Sequence, residues 1–288
     1  MKASFVIVNY NRKEEVLLTI SKTKNIIKFD PANFEIIIID NASTDGSATA
    51  IKDEYPDVIL IENKVNIGIS AWNTGFSIAK GNYFIILDDD SHIDNGLEKA
   101  LLYLDNHTDI GVLALNITGG AFQTCNWNNL AEYAGFIGCG AIMSKELYEK
   151  IGGYADWIFL YTHEFEYAIR CKQAGYKIIF FADCQVTHRT SAINRTSKRL
   201  ITLSFRNELG IVYKYFQKKD RTLYLTRVFF NNIKYIFRHG IKSVSWYYNG
   251  WKEFNKLKKD IQFTPVNDDV QNFYSRYYPS TQPFLKII

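Results

Sequence analysis

Tyr83-Phe84-Ile85-Ile86-Leu87-Asp88-Asp89-Asp90 sets an apolar run of strand length against three consecutive carboxylates. An unbroken apolar run suits a strand covered by helices on both faces, as in a parallel sheet. Carboxylates crowded at its end repel one another unless a cation offsets them. Oxygen ligands of this kind suit Mg²⁺ or Mn²⁺, ions that complete their shells with substrate phosphates and water, so a diphosphate is the natural co-ligand. An acidic turn capping a helix at Ile93-Asp94 is the competing reading of the same residues.

The pattern recurs on either side. Strands are predicted over Ala3–Val8, Glu35–Asp40, Val58–Glu62, Tyr83–Leu87, Ile110–Leu115 and Ile178–Phe181. Helical periods lie between them, over Lys13–Ile27, Ser70–Lys80, Asn95–Asn106, Ser144–Ile151 with Ser144 as N-cap, and Thr162–Ala174 ended by Gly175. Alternation of this kind predicts βαβ units and a mostly parallel sheet, whose ligands bind beyond the carboxyl ends of the strands. Polar clusters stand at those ends: Asn9-Tyr10-Asn11, Asp40 to Gly46, Asn66-Ile67-Gly68 and the acidic triplet. At the second end, Asp40 is suited to accept the imide N–H of uracil or thymine, with Asn9, Tyr10 and Asn66 framing the base. Turn formation is its other role, and the two are compatible. Asp45 reads as a helix cap.

A length of 288 residues with 47% hydrophobic and 22% charged content supports a sizeable core and excludes a disordered chain. The net charge of +4 and the lack of a basic run argue against nucleic acid as partner. Cys125, Cys139, Cys171 and Cys184 are scattered without zinc-like spacing, so buried, reduced thiols are expected rather than ligands. No signal-like or membrane-spanning apolar run is present, which predicts a cytoplasmic protein, peripheral at most on the inner leaflet. No GxGxxG follows the first strand, against a dinucleotide-dependent oxidoreductase.

Taken in order, the motifs resemble family 2 glycosyltransferases of the GT-A fold, above all their rhamnosyltransferase-like branch. The matching stretches are Val8-Asn9-Tyr10-Asn11, Ile39 to Ser47, Asn66-Ile67-Gly68, Asn73-Thr74-Gly75, Ala79 to Tyr83 and Leu87 to Asp90. They continue through Gly140-Ala141-Ile142-Met143, Gly152-Gly153-Tyr154, Phe159 to Glu166, Arg170 and Ala174-Gly175-Tyr176. The likeness runs from about residue 3 to 215. It implies a GT-A (Rossmann-like) catalytic domain over 1–215, with a nucleotide-binding half to about 115 and an acceptor half over 116–197, and a helical extension over 216–288.

That resemblance implies further roles. Asn9, Tyr10, Asn11, Asp40, Asn66, Asn73, Asp88, Asp89 and Arg206 are the expected nucleotide-binding residues, with Asp88 near the ribose and Arg206 near the phosphates. Asp90, with Asp88 and His188, is the expected site for Mn²⁺ or Mg²⁺, imidazole favouring Mn²⁺. The expected reaction is inverting transfer from a UDP- or dTDP-sugar to a saccharide or lipid-linked acceptor. The family's catalytic acid pair reads His163-Glu164 here, so Glu164 becomes the general base with His163 beside it. Glu166 is expected to pair with Arg170, four residues on. The altered pair also suggests a second class of function, a catalytically silent nucleotide-sugar-binding or assembly subunit.

The tail interleaves Tyr224, Phe229, Phe230, Tyr235, Phe237, Trp246, Tyr247, Tyr248 and Trp251 with Arg227, Lys234, Arg238, His239, Lys242, Lys252 and Lys256. Aromatic and basic helices suit an anionic membrane interface. Packing on the catalytic domain or on a second copy in a homo-oligomer are the alternatives. For Trp127, stacking on an acceptor sugar competes with core packing.

Overall fold

The computed structural model describes residues 1–28, 30–120, 123–189, 196–234, 236 and 240–283. Tyr235, Phe237, Arg238 and His239, singled out above in the tail, lie outside them. The chain divides into two compact units, Met1–Tyr154 with Ala174–Ser191, and Ala155–Gln173 with Ala192–Ile288.

The strands of the first unit are β1 (Ala3–Asn9), β2 (Phe34–Asp40), β3 (Ile59–Glu62), β4 (Tyr83–Asp88), β5 (Ser91–Asn95), β6 (Ile110–Thr118), β7 (Ala141–Ser144) and β8 (Lys177–His188). They form an 8-stranded sheet in the order β3-β2-β1-β4-β7-β6-β8-β5. Pairing is parallel through β3-β2-β1-β4 and between β6 and β8, and antiparallel where β7 meets β4 and β6 and where β5 meets β8. The expected strands all form. β5 and β7 were not foreseen: the first is polar, the second short, and both are held by pairing rather than by their own pattern.

Ile93 and Asp94 lie in β5, and the next helix starts only at Leu97, after Gly96 in the left-handed region. The residues after the acidic triplet are therefore strand, and the helix-cap reading of the triplet is overturned. β8 runs well beyond the expected Phe181, which carries His188 to a strand end.

β1 is buried along its whole length. One face sends Phe5 and Ile7 into a cluster with Val16 and Ile20 of α1 (Lys13–Ile26). Truncating one such aliphatic side chain costs about 2–5 kcal/mol, so this layer fixes the strand ends rigidly. On the other face, α3 (Ala71–Ile78) presses on the sheet through Gly75, where a Cβ would collide with Val6 and stand 2.7 Å from Ile39 Cδ1. Two short helices, α2 (Ser47–Glu54) and α4 (Leu97–Asp105), complete the crossovers, and α5 (Lys145–Ile151) follows β7. Ser144 caps α5 as expected, its Oγ accepting from Leu147 N at 3.2 Å.

The second unit holds α6 (His163–Gln173), α7 (Ser197–Tyr215), α8 (Lys218–Ile233), α9 (Val244–Leu257) and α10 (Asp268–Tyr277). Its centre is α7, whose Phe205 meets Phe229 of α8 and Tyr247 of α9, with ring centroids 6.1 and 5.4 Å apart. Glu166 of α6 is fully buried, which would be costly for a lone carboxylate. Arg170 grips it with Nε and Nη2 at 2.9 Å each, and the Tyr215 hydroxyl donates to it.

Candidate active site

The parallel register sets Asn9 beside Asp40 and Val8 beside Asp88, so three polar residues emerge at the carboxyl edge of β1, β2 and β4. Asn9 Nδ2 donates to Asp40 Oδ2 at 2.9 Å and to Ser43 Oγ at 3.1 Å, while Ser43 N–H donates to Asp40 Oδ1 at 2.8 Å. Asp40 thus shapes its turn with both oxygens, each keeping capacity for a further donor. Asn9 Oδ1 is buried and accepts no hydrogen bond from the described residues.

Asn11 adopts φ 54° and accepts from Thr44 N–H at 2.7 Å, tying the β1 turn to the β2 turn. Asp45 caps two helices, accepting from Lys13 N–H at 2.9 Å and Ser47 N–H at 3.0 Å. Asn66 faces inward: its Oδ1 accepts from Asn41 Nδ2 at 3.0 Å and Gly68 N–H at 2.9 Å. Asn41, which the sequence reading passed over, also accepts from Asn63 Nδ2 at 3.0 Å and Ile67 N–H at 3.1 Å, so it organises the loop carrying Asn66.

The acidic triplet is partitioned. Asp88 is half-buried, whereas Asp89 and Asp90 are buried. Arg12, absent from the expected set, places Nη1 at 2.7 Å from Asp89 Oδ1 and 3.0 Å from Asp90 Oδ2. Tyr10 contributes its backbone N–H to Asp89 Oδ2 at 3.3 Å. Burial pushes the Asp89 carboxyl up to about 7, with Arg12 pulling it down and Asp90 and Asp88 raising it further. Burial disfavours charge on Arg12, but Asp89 and Asp90 outweigh it and hold the guanidinium above its usual range. Arg189, also unforeseen, clasps the turn from behind: its N–H donates to Asp90 O at 2.9 Å and Nη2 to Asp89 O at 3.3 Å, while Nε pairs with Glu15 at 2.6 Å. The only signal for Arg12 was the general need of a cation beside the triplet.

Two of the three expected metal ligands, Asp88 and His188, come together with a third potential ligand, Cys139. Among the described residues, one ligand atom each from Asp88, Cys139 and His188 lies within 4.8 Å of the others. Asp90 has Oδ2 on Arg12 and Oδ1 at 3.1 Å from His188 Nε2. A carboxylate, an imidazole and a thiol converging so closely fit a small divalent ion in chemistry as well as spacing. Cys139 is a buried, free thiol, as expected, and stands beside two potential ligands. Its neighbours Gly138 and Gly140 give no ligand motif, and only strand pairing brings it to Asp88.

In the second unit, Tyr161 and Thr162 take φ of 66° and 58°, a strained step that starts α6. Asn207 holds it, its Nδ2 donating to the carbonyls of Leu160 and Tyr161 at 2.9 Å each. His163 and Glu164 follow, with His163 Nδ1 at 3.2 Å from Glu164 Oε2. Arg206 donates through Nη2 to Trp157 O at 2.9 Å and through Nη1 to Asn207 Oδ1 at 2.6 Å. Burial lowers its pKa, with Glu253 acting the other way.

Asn73 gives both ends of its amide to one residue, donating to Tyr154 O at 2.8 Å and accepting from Tyr154 N–H at 2.7 Å. Its role in the structure is therefore a clamp on the loop before that tyrosine. Trp127 stacks on Tyr133 with centroids 4.2 Å apart, so one of its faces is taken by the protein.

Comparison with known proteins bears on the family and the fold. The family model described as glycosyl transferase family 2 matches residues 4–166. The chain is similar to the dolichol-phosphate mannosyltransferase of Pyrococcus furiosus, at 26% identity over 191 residues, 62% of this chain and 51% of that protein. It therefore spans about half the length of that relative. Its fold is similar to S. aureus TarS 1–349 in complex with UDP-GlcNAc, with a TM-score of 0.63 and 15% identity, covering 95% of this chain and 84% of that one. It is also similar to the mannosyltransferase PcManGT from Pyrobaculum calidifontis in complex with GDP-Man and Mn²⁺, with a TM-score of 0.59 and 21% identity, covering 73% and 63% of the two chains. The strand-end asparagine and aspartates, and all strands but β8 of the curled, mostly parallel GT-A sheet that carries them, fall in the matched segment, and the chain belongs to glycosyl transferase family 2.

Proposed function

We propose that the chain transfers a sugar, with inversion at the anomeric carbon, from a UDP- or dTDP-sugar to a saccharide or lipid-linked acceptor. The observation that carries this reading is the alignment of Asn9, Asp40 and Asp88 on adjacent strand ends, where open parallel sheets bind nucleotides. Asp40 and Asn9, with Tyr10 and Asn66, hold the base, and Asp88 lies toward the ribose and diphosphate. Asp88 and His188, with Asp90 beside them, would hold a divalent ion, which when bound would supply Lewis-acid stabilisation of the departing diphosphate. Glu164 takes the acceptor's hydroxyl proton as that oxygen bonds to the anomeric carbon and the bond to the diphosphate breaks. His163, beside it, orients the carboxylate.

UDP-GlcNAc bound to TarS and GDP-Man with Mn²⁺ bound to PcManGT support a nucleotide-sugar donor and a divalent ion. The dolichol-phosphate mannosyltransferase relative supports a lipid-linked acceptor. Within the family we propose the rhamnosyltransferase-like branch, on the ordered motifs from Val8-Asn9-Tyr10-Asn11 to Ala174-Gly175-Tyr176 that resemble it. Exposed Phe230, Tyr248 and Trp251, with exposed Lys242, Lys252 and Lys256, suit an anionic membrane carrying such an acceptor. Among the described residues no helix is long and apolar enough to cross a membrane.

The test is release of nucleoside diphosphate from UDP-, dTDP- and GDP-sugars with and without Mn²⁺, followed by NMR of the product's anomeric configuration. A retained configuration, or turnover indifferent to metal, overturns the mechanism. Donor binding without turnover under any ion identifies the silent subunit instead.

A further inference from the structure

We propose that Cys139 supplies a thiolate to the divalent ion held by Asp88 and His188, so that the site prefers borderline ions such as Co²⁺ or Zn²⁺ to Mg²⁺. This rests on the donor-site reading above, but not on its chemistry of transfer.

The three ligand atoms arrive on three backbones whose positions are fixed independently. β4 and β7 are antiparallel with Ile86 paired to Ala141, and the turn that leads into β7 carries Cys139 to Asp88 at the end of β4. The residue after Cys139 is wedged: a Cβ on Gly140 would stand 2.9 Å from Ile117 Cγ1. His188 closes β8, paired with Ser91 of β5, and Gly119 lets the neighbouring chain approach so closely that a Cβ there would be 2.7 Å from the His188 carbonyl oxygen. Neither backbone can withdraw without breaking strand pairing or packing, so the donors are preorganised.

The imidazole stands beside a further carboxylate, with Nε2 at 3.1 Å from Asp90 Oδ1. Cys139 is 3% exposed and His188 2%, while Asp88 is half-buried, so an ion enters from the Asp88 side into a site where sulfur and nitrogen are already dry. On binding, the S–H bond breaks, its proton passes to solvent, and the sulfur lone pair forms the bond to the ion. Sulfur and imidazole together select ions softer than Mg²⁺, which requires oxygen ligands in octahedral array. Cys184 gives the contrast within the same unit: it is buried, outside this group, and burial followed by Asp94 pushes its thiol up to about 12.

Apo protein titrated with Co²⁺ tests the assignment. Wild type and Cys184→Ser are expected to show sulfur-to-cobalt charge-transfer absorption, and Cys139→Ser and Cys139→Ala to lack it. The serine variant is expected to bind Co²⁺ at least about tenfold more weakly. As a readout on unaltered protein, Zn²⁺ is expected to displace Co²⁺ and abolish the band at a concentration at which Mg²⁺ leaves it intact. Absence of the band in wild type, equal bands in wild type and Cys139→Ser, or displacement by Mg²⁺ as readily as by Zn²⁺ overturns the proposal. None of these measurements uses a sugar donor. Absence of transfer beside an intact cobalt band therefore refutes the transferase reading alone, and metal-dependent transfer without the band refutes only the thiolate.

Discussion

Arg12 Nη1 lies 3.0 Å from Asp90 Oδ2, and the same nitrogen is 2.7 Å from Asp89 Oδ1. One guanidinium therefore neutralises two buried members of a triplet whose third member, Asp88, faces outward. Removing it leaves paired carboxylates buried without their cation. Arg12→Ala is expected to lose about 3 kcal/mol of stability in urea unfolding. Mn²⁺ is expected to restore part of that loss in the variant by more than it stabilises wild type. An unchanged unfolding midpoint would show that the pair is only decorative.

Glu164→Gln removes the proposed base but keeps the side chain's shape. Turnover is expected to fall by about 10²–10⁴, with little change in the donor KM. Equal turnover in the two proteins would move the base elsewhere, with His163 the first alternative to examine.

Asn207 is buried and holds the carbonyls of Leu160 and Tyr161 where the chain takes two left-handed steps into α6. Asn207→Ala leaves those carbonyls unpaired and is expected to cost roughly 2 kcal/mol. Because the loss falls on the residues that launch His163 and Glu164, turnover should decline more than donor affinity. Isothermal titration with UDP beside steady-state kinetics separates the two.

Glu208 of α7 is buried, and burial raises its carboxyl pKa although Asn232 Nδ2 donates to it at 2.6 Å. The buried hydroxyls of Tyr274 and Tyr278 are themselves raised, by burial first and Glu208 second, and stay neutral. Above the ordinary carboxylate range, the folded state keeps a proton on Glu208 that the unfolded chain has released. Stability therefore falls as pH rises from that range through the raised value. Glu208→Gln should flatten this slope in denaturant titrations across pH, and a slope identical to wild type would refute the shift.

The strand-end residues were legible because each follows an apolar run whose length and continuity are local properties. Asn9, Asp40 and Asp88 could be placed on one edge from pattern alone, and Glu166 with Arg170 from helical spacing. What escaped depends on pairing at long range. β5 and β7 have weak patterns and exist because β8, β4 and β6 offer them edges. Without β7 nothing in Gly138-Cys139-Gly140 points to Asp88, and without β5 the residues after the triplet read as a helix start. Arg12 escaped because an arginine at the head of a helix is unremarkable until its sheet neighbours are known.

β7 runs antiparallel to both strands beside it, and the only side chain that its leading turn offers opposite Asp88 has a glycine on either side. Loss or gain of one residue between Cys139 and Ala141 would put a bare glycine in that place while leaving every ligand codon intact. Among relatives of this chain, ion preference should therefore track the spacing from that cysteine to β7 as closely as the presence of the cysteine itself.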